Sequence, residues 1–175
     1  MKKYKFSKKE QVRIVKVEAS AIKYIKNPSL KVQMFAVNKD PELLKYIKNQ
    51  SEKIQLQSIK CATYTAEYIK NPSKKIVKYL AKNNPYGLKY IKSTNISNKI
   101  FKEAIKNDSY CIYHLNNVPE KIIKFAIKRY GSPILLLKKP SQKLQKIALK
   151  ANPRSLQYIK NPNKEILKYL ASLKG

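Results

Sequence analysis

Tryptophan is absent from this 175-residue chain, and glycine (3), cysteine (2) and histidine (1) nearly so. Three glycines, one of them the terminal Gly175, cannot build a glycine-rich phosphate loop and offer almost nothing for hairpin turns. Cys61 and Cys111 form no C-x-x-C pair, and His114 has no second histidine beside which to bind metal. Neither a zinc site nor a disulfide framework is expected, no cofactor is expected, and the chain reads as intracellular: cytoplasmic, nuclear or virion-associated. The start, Met1-Lys2-Lys3-Tyr4-Lys5-Phe6, is basic, but no apolar run of signal-peptide or membrane-span length follows it.

Acids are also scarce. Ten Asp and Glu face 39 Lys and Arg, a formal net charge of +29. Lys, Asn, Ile and Tyr share A/T-rich codons, so base composition alone raises all four. It does not explain the shortage of acids. Hydrophobic residues make up 43% of the chain, enough to bury a core, so the charge does not signal a disordered polymer. A field of one sign favours polyanions: nucleic acid, an anionic membrane surface, or an acidic protein.

No catalytic constellation is visible. The acids are dispersed, several at helix starts where the dipole accounts for them. The two cysteines stand at different repeat positions without a partner base, and His114 stands where other repeats carry tyrosine. The chain is therefore expected not to be an enzyme and to have no small-molecule substrate.

What is present is a repeat. Tyr-Ile-Lys-Asn occurs at Tyr24, Tyr46 and Tyr68, and Tyr-Ile-Lys at Tyr90 and Tyr158; the first four tyrosines stand 22 residues apart. The 68 residues from Tyr90 to Tyr158 hold two further units, through His114 and Leu136, and two extra residues within 93–98. Each unit predicts two short helices. The first begins on an N-cap and a proline, as in Asp40-Pro41, Asn84-Pro85 and Asn152-Pro153, and runs to about Lys48 in the Asp40 unit. An Asn-Pro break follows at Asn27, Asn71 and Asn161. Ser29, Ser51, Ser73 and Ser141 then offer hydroxyl caps to the second helix, which spans Ser73 to about Lys82 in one unit. Helices this short persist only when their apolar stripes pack against neighbours. Residues 1–9, lysine-rich and out of phase, are expected to be a flexible arm before a single domain at 10–175.

The recurring Asn-Pro-Ser-x-x-Val/Ile-x-x-x-Ala-Val/Ile-Lys-x-Asn-Pro-x-x-Leu-Lys-Tyr-Ile resembles short helical repeats of the leucine-rich-variant and HEAT-like kind. It is also similar to uncharacterised repeats common in low-GC giant-virus, protist and intracellular-bacterial proteins. The resemblance covers roughly Val12 to Leu170. It implies an all-α fold, a curved right-handed α-solenoid of about seven two-helix repeats, of viral origin and without a specific activity. HEAT-like DNA glycosylases are basic solenoids with a tryptophan-lined base pocket, which a chain lacking tryptophan cannot form.

On a helical wheel at about 100° per residue, Ile76, Val77, Tyr79 and Leu80 form the core face of the second helix, and Lys75, Lys78 and Lys82 a narrow outward strip. Lys99, Lys102 and Lys106 hold the same columns, as do Lys121, Lys124 and Lys128, then Lys143, Lys146 and Lys150. Outer repeats are weaker, with Met34, Leu56 and Glu165 among their strip residues. Like charges stacked this way repel, and a bound polyanion compensates them. These twelve lysines are the expected nucleic-acid-binding surface, DNA or RNA. Arginine occurs only at Arg13, Arg129 and Arg154, so phosphate contact without strong sequence preference is expected. An acidic protein partner is the alternative, the chain then serving as a scaffold. A sparser row on the first helices includes Lys23, Lys26, Lys45, Lys48, Lys70, Lys89, Lys92, Lys138 and Lys160. The Tyr24 column is expected to pack in the core with its hydroxyls at the rim, while Tyr64, Tyr86, Tyr110 and Tyr130 are the candidates for stacking on bases.

Overall fold

The structure, a computed structural model, describes residues 2–91 and 96–173. Lys92 and the Ser93–Asn95 part of the expected two-residue insertion lie outside them. Among the described residues the fold is all-helical, with eight α-helices alternating with seven short 3-10 helices. The α-helices are α1 (Lys8–Val17), α2 (Leu30–Lys39), α3 (Glu52–Cys61), α4 (Lys74–Asn83), α5 (Asn98–Asn107), α6 (Glu120–Tyr130), α7 (Gln142–Ala151) and α8 (Lys164–Ser172). Between them lie η1 (Ala19–Tyr24), η2 (Pro41–Tyr46), η3 (Thr63–Tyr68), η4 (Pro85–Tyr90), η5 (Ser109–Tyr113), η6 (Ser132–Leu136) and η7 (Pro153–Tyr158).

The expected helix–loop–helix is thus an α-helix turned directly into a 3-10 helix, with one residue between them. Asp40 shows how. Its N–H donates to the Ala36 carbonyl (2.8 Å), closing α2, and its own carbonyl accepts from Leu43 N–H (3.1 Å), opening η2. Its carboxylate caps Glu42 N–H at 2.9 Å. The residue itself is extended (φ −146°, ψ 105°), and Pro41 follows at the first helical position. Asp108 and Asn152 form the same corner with near-identical dihedrals and the same side-chain cap, and Glu18 does so through its longer carboxylate. The 3-10 geometry follows from length: five or six residues fit between the corner and the next turn, and i→i+3 bonds satisfy so short a run soonest. The helix expected to reach about Lys48 accordingly ends at Tyr46, and Ile47 leaves it extended (φ −85°, ψ 114°).

Turns after the 3-10 helices place Asn27, Asn117 and Asn161 in the left-handed region, with φ between 51° and 55°. Asparagine tolerates that conformation better than other side chains do. Ser51, Ser73, Ser97 and Ser141 then cap α-helices through their hydroxyls. Ser29 does not: it caps nothing with its side chain, and its N–H donates to Gln11 Oε1 at 3.0 Å. Sequence reasoning also passes over a glutamine column. Gln11, Gln33, Gln55 and Gln145 each donate from Nε2 to the carbonyl five residues earlier, at Phe6, Pro28, Gln50 and Pro140, pinning the turn to the helix it precedes.

Residues 4–9 are in register with the repeat. Ser7 stands 22 residues before Ser29, and its hydroxyl forms a reciprocal capping box with Glu10 that starts α1 at Lys8. Tyr4 forms a parallel bridge to Ile25, through Tyr4 N–H to the Tyr24 carbonyl and Lys26 N–H to the Tyr4 carbonyl, both 2.8 Å.

The chain forms two compact units, Met1–Leu80 with Gly87–Asn95, and Ala81–Tyr86 with Ile96–Gly175. In the first, α2 packs against α1 and α3, and η2 against η1 and η3. In the second, α6 packs against α5 and α7, α7 against α8, and η6 against η5 and η7. The core of each is a ladder to which most α-helices contribute two or three buried apolar residues, such as Val32, Ala36 and Val37 on α2 or Ile122, Ala126 and Ile127 on α6. Val32, Ile54, Ile122, Leu144 and Ile166 are buried on the α-helices, and so are the isoleucines of Tyr-Ile-Lys: Ile25, Ile47, Ile69, Ile91 and Ile159 are at most 7% exposed. The tyrosine beside them does not share that burial. Tyr24 and Tyr158 are 42% and 38% exposed, and Tyr46, Tyr68 and Tyr90 are half-buried. The column expected in the core is therefore a rim, because a short 3-10 helix turns one apolar edge inward and the following extended isoleucine fills the space.

One corner departs from the rest. Between α6 and η6 stands Gly131, buried, with φ 73° and ψ −59°. A Cβ there would collide with Ser155 Oγ and the Ala148 carbonyl. Gly131→Ala is expected to destabilise the chain by about 1–3 kcal/mol, measured as a lower denaturant midpoint with helix content retained below it. An unchanged midpoint would show that the corner relaxes without cost.

Candidate functional site

The strip lysines occupy fixed places on the α-helices, and the helix ends give each place a different electrostatic meaning. Lys82, Lys106, Lys128 and Lys150 stand in the last turns of α4 to α7, where the macrodipole favours a cation. Lys75, Lys99, Lys121 and Lys143 stand at the second helical residue, where the dipole disfavours one. The helix itself therefore explains the last-turn column and opposes the first-turn column.

Within the second unit, α5, α6 and α7 bring Lys99, Lys102, Lys106, Lys121, Lys124, Lys128, Lys143, Lys146 and Lys150 onto three successively packed helices. All are exposed except Lys146, which is half-buried. Lys82 belongs to this unit as well, and Lys75 and Lys78 to the other. All three are exposed. Two strip lysines have carboxylate partners: Lys124 meets Glu120 at 2.7 Å, and Lys75 meets Glu52 at 3.1 Å. Glu52 also accepts from Ser73 Oγ at 2.5 Å, and these two contacts, the serine's first, hold its carboxyl below its ordinary pKa. Both ion pairs are solvent-exposed and so contribute little to stability.

Between α5 and α6 the strip opens into a cleft of about 380 Å³. Lys102, Lys121, Lys124 and Lys128 stand around it, and Ile122 and Phe125 supply apolar wall. The Lys102 ammonium lies 5.2 Å from the Phe125 ring centroid. Lys146 lies in the same relation to Tyr169, at 5.8 Å.

The sparser lysine row lines two clefts at equivalent repeat positions. One, of about 490 Å³, includes Lys3, Lys26, Lys48 and Gln33; the other, of about 620 Å³, includes Lys138, Lys160 and Gln145. Along this row lysines cover the rim tyrosines: Lys23 over Tyr24, Lys45 over both Tyr46 and Tyr68, and Lys89 over Tyr90, with ammonium–centroid distances from 4.8 to 5.6 Å.

Three of the four tyrosines expected near the connections have partners. Tyr64 donates to Glu42 Oε1 at 3.2 Å, Tyr86 stacks at a tilt on His114, and Tyr130 donates to the Ile105 carbonyl at 3.1 Å. Tyr110 is 68% exposed, its ring 6.3 Å from that of Tyr113. His114, exposed, lies just past the end of η5. Arg129 is turned back onto its neighbour, donating from Nε to Tyr130 Oη at 3.0 Å.

Among the described residues, no group of three or more His, Cys, Asp or Glu could hold a metal ion. None of their helices is long and apolar enough to cross a membrane. Comparison with protein-family models, curated proteins and solved structures finds no match.

The two thiols are chemically unlike. Burial, and then the Asp108 carboxylate, push the Cys111 thiol up to about 12, so it is fully protonated near neutral pH and shielded from reagent. Cys61 is exposed. An aromatic disulfide reagent at mildly alkaline pH is expected to titrate one thiol in the native chain and two in denaturant. Two fast thiols in the native chain would contradict the buried position of Cys111.

Proposed function

We propose that this chain is a non-catalytic α-solenoid of about seven repeats, right-handed, that binds nucleic acid through backbone phosphates largely without regard to sequence. The first-turn lysines carry the reading. A cation at the second residue of an α-helix costs roughly 0.3–1 kcal/mol at low ionic strength. Four consecutive helices nevertheless bear one there, at Lys75, Lys99, Lys121 and Lys143. Local helix energetics oppose each of them, and a bound anion reverses the sign of the cost. A row of phosphates supplies such charge along the whole face. Lysine suits this use as a mobile point charge, and one of the three arginines is already engaged by its neighbour.

The proposal separates stability from binding in one variant. Lys99→Glu, Lys121→Glu and Lys143→Glu together are expected to raise Tm, because each replaces a disfavoured first-turn cation by a favoured anion; each kcal/mol gained corresponds to about 2–4 °C. The same variant is expected to bind nucleic acid about tenfold or more weakly, and the slope of its log-affinity against log salt to become shallower by about 0.9 for each duplex phosphate it no longer neutralises. Fluorescence anisotropy of nuclease-treated protein across a salt series checks both. A more stable variant that binds as tightly as the parent would reject this surface. Salt-sensitive capture of an acidic protein, with no nucleic-acid affinity at physiological salt, would replace the reading by the scaffold alternative.

A further inference from the structure

In α2 to α8 the position three residues after the aliphatic anchor (Val32, Ile54, Ile76, Ile100, Ile122, Leu144 and Ile166) alternates along the chain. It reads Phe35, Gln57, Tyr79, Glu103, Phe125, Ile147 and Tyr169, aromatic in every second unit. All four aromatics are half-buried, unlike the anchors beside them. In three of them an ammonium from the preceding unit lies over the ring: Lys60 over Tyr79 at 5.9 Å, Lys102 over Phe125 at 5.2 Å and Lys146 over Tyr169 at 5.8 Å. Lys60 and Lys102 are exposed, so a mobile, solvated side chain rather than packed core stands over those ring faces. At Phe125 the ring also lines the cleft between α5 and α6, whose volume of about 380 Å³ admits one nucleotide.

We infer that Phe125 and Tyr169 are stacking stations for unpaired bases, making the lysine face select single-stranded over double-stranded nucleic acid; this rests on the phosphate-binding reading above. A base that enters the Phe125 cleft displaces the Lys102 ammonium from the ring and sends it to the adjoining phosphate. The exchange is favourable because a base stacks on an aromatic ring more strongly than an exposed ammonium covers it. Lys121, Lys124 and Lys128 stand around the same cleft to take the flanking phosphates. A duplex keeps its base faces inside its own stack and can offer the rings nothing, so it gains only the charge contacts. Since every base has a π-face, the selection is for strandedness and not for sequence.

The test uses the full chain and three fluorescent ligands of equal length: an oligothymidine strand, the same strand without bases, and a duplex. At one salt concentration the parent is expected to bind the thymidine strand about tenfold more tightly than the abasic one. Phe125→Leu with Tyr169→Leu is expected to erase that margin, the thymidine strand then binding no more tightly than the abasic one. Equal affinity of the parent for thymidine and abasic strands overturns the inference but leaves phosphate binding intact. Absence of binding to all three ligands overturns both. Ultraviolet crosslinking of the parent to a halogenated pyrimidine strand requires no variant to fold. Crosslinks at Phe125 or Tyr169 are expected, and crosslinks confined to the Tyr24 column would overturn the inference.

Discussion

The units of this chain turn on a single residue, extended at Glu18, Asp40, Ala62, Asp108 and Asn152 and with positive φ at Gly131. It must end an α-helix, begin a 3-10 helix and change the chain direction with no loop in which to hide unpaired backbone groups. Asp40, Asp108 and Asn152 do so because a short side-chain oxygen reaches the N–H two residues ahead while the backbone closes both helices. From that corner the rest follows. The α-helix before it is held at ten or eleven residues, and the 3-10 helix after it at five or six. Helices so short are unstable alone, so the buried ladder of isoleucine and leucine must be shared with neighbouring units.

A core confined to one narrow apolar stripe of two or three residues per α-helix leaves the outward surface of each helix free for charge. The chain fills it almost wholly with lysine, 39 basic residues against ten acids. Its few exposed ion pairs, Lys45–Glu42 among them, cannot offset that imbalance. Aromatic rings are the other neutraliser, since lysine after lysine lies over a tyrosine or phenylalanine face. Such contacts soften repulsion locally without removing charge, so the field remains available to an external anion.

Much of this is legible in the sequence. The 22-residue interval, the all-helical class, the Asp-Pro and Asn-Pro caps and the outward strip all rest on residue types whose backbone preferences are strong. The nature of the first helix is not, because Leu43, Leu44 and Ile47 suit an α-helical stripe as well as a 3-10 edge followed by an extended residue. The same ambiguity sends the tyrosine column into the core, where the structure buries the neighbouring isoleucine instead. The start of the chain misleads for a different reason: lysine density at residues 1–9 hides Ser7, Glu10 and Gln11, which stand in the columns of Ser29, Val32 and Gln33. The glutamine column escapes notice because its partner is a backbone carbonyl, which no residue type announces. For the lysines the sequence supplies the strip, and helix boundaries add what a wheel cannot show: which of them stand at the disfavoured end of a dipole.

The corner has a genetic consequence. Because it satisfies the backbone on both sides from its own atoms, a segment running from one corner to the next carries no unpaired end. An in-frame duplication or deletion of 22 codons, wherever its endpoints fall within the unit, joins the same sequence phases and recreates the same junction. Two inserted residues would instead have to be absorbed in a turn, outside the hydrogen-bonded corner. The gene could therefore lengthen or shorten this protein by recombination in whole steps, each adding or removing about three outward lysines, without any redesign of the core.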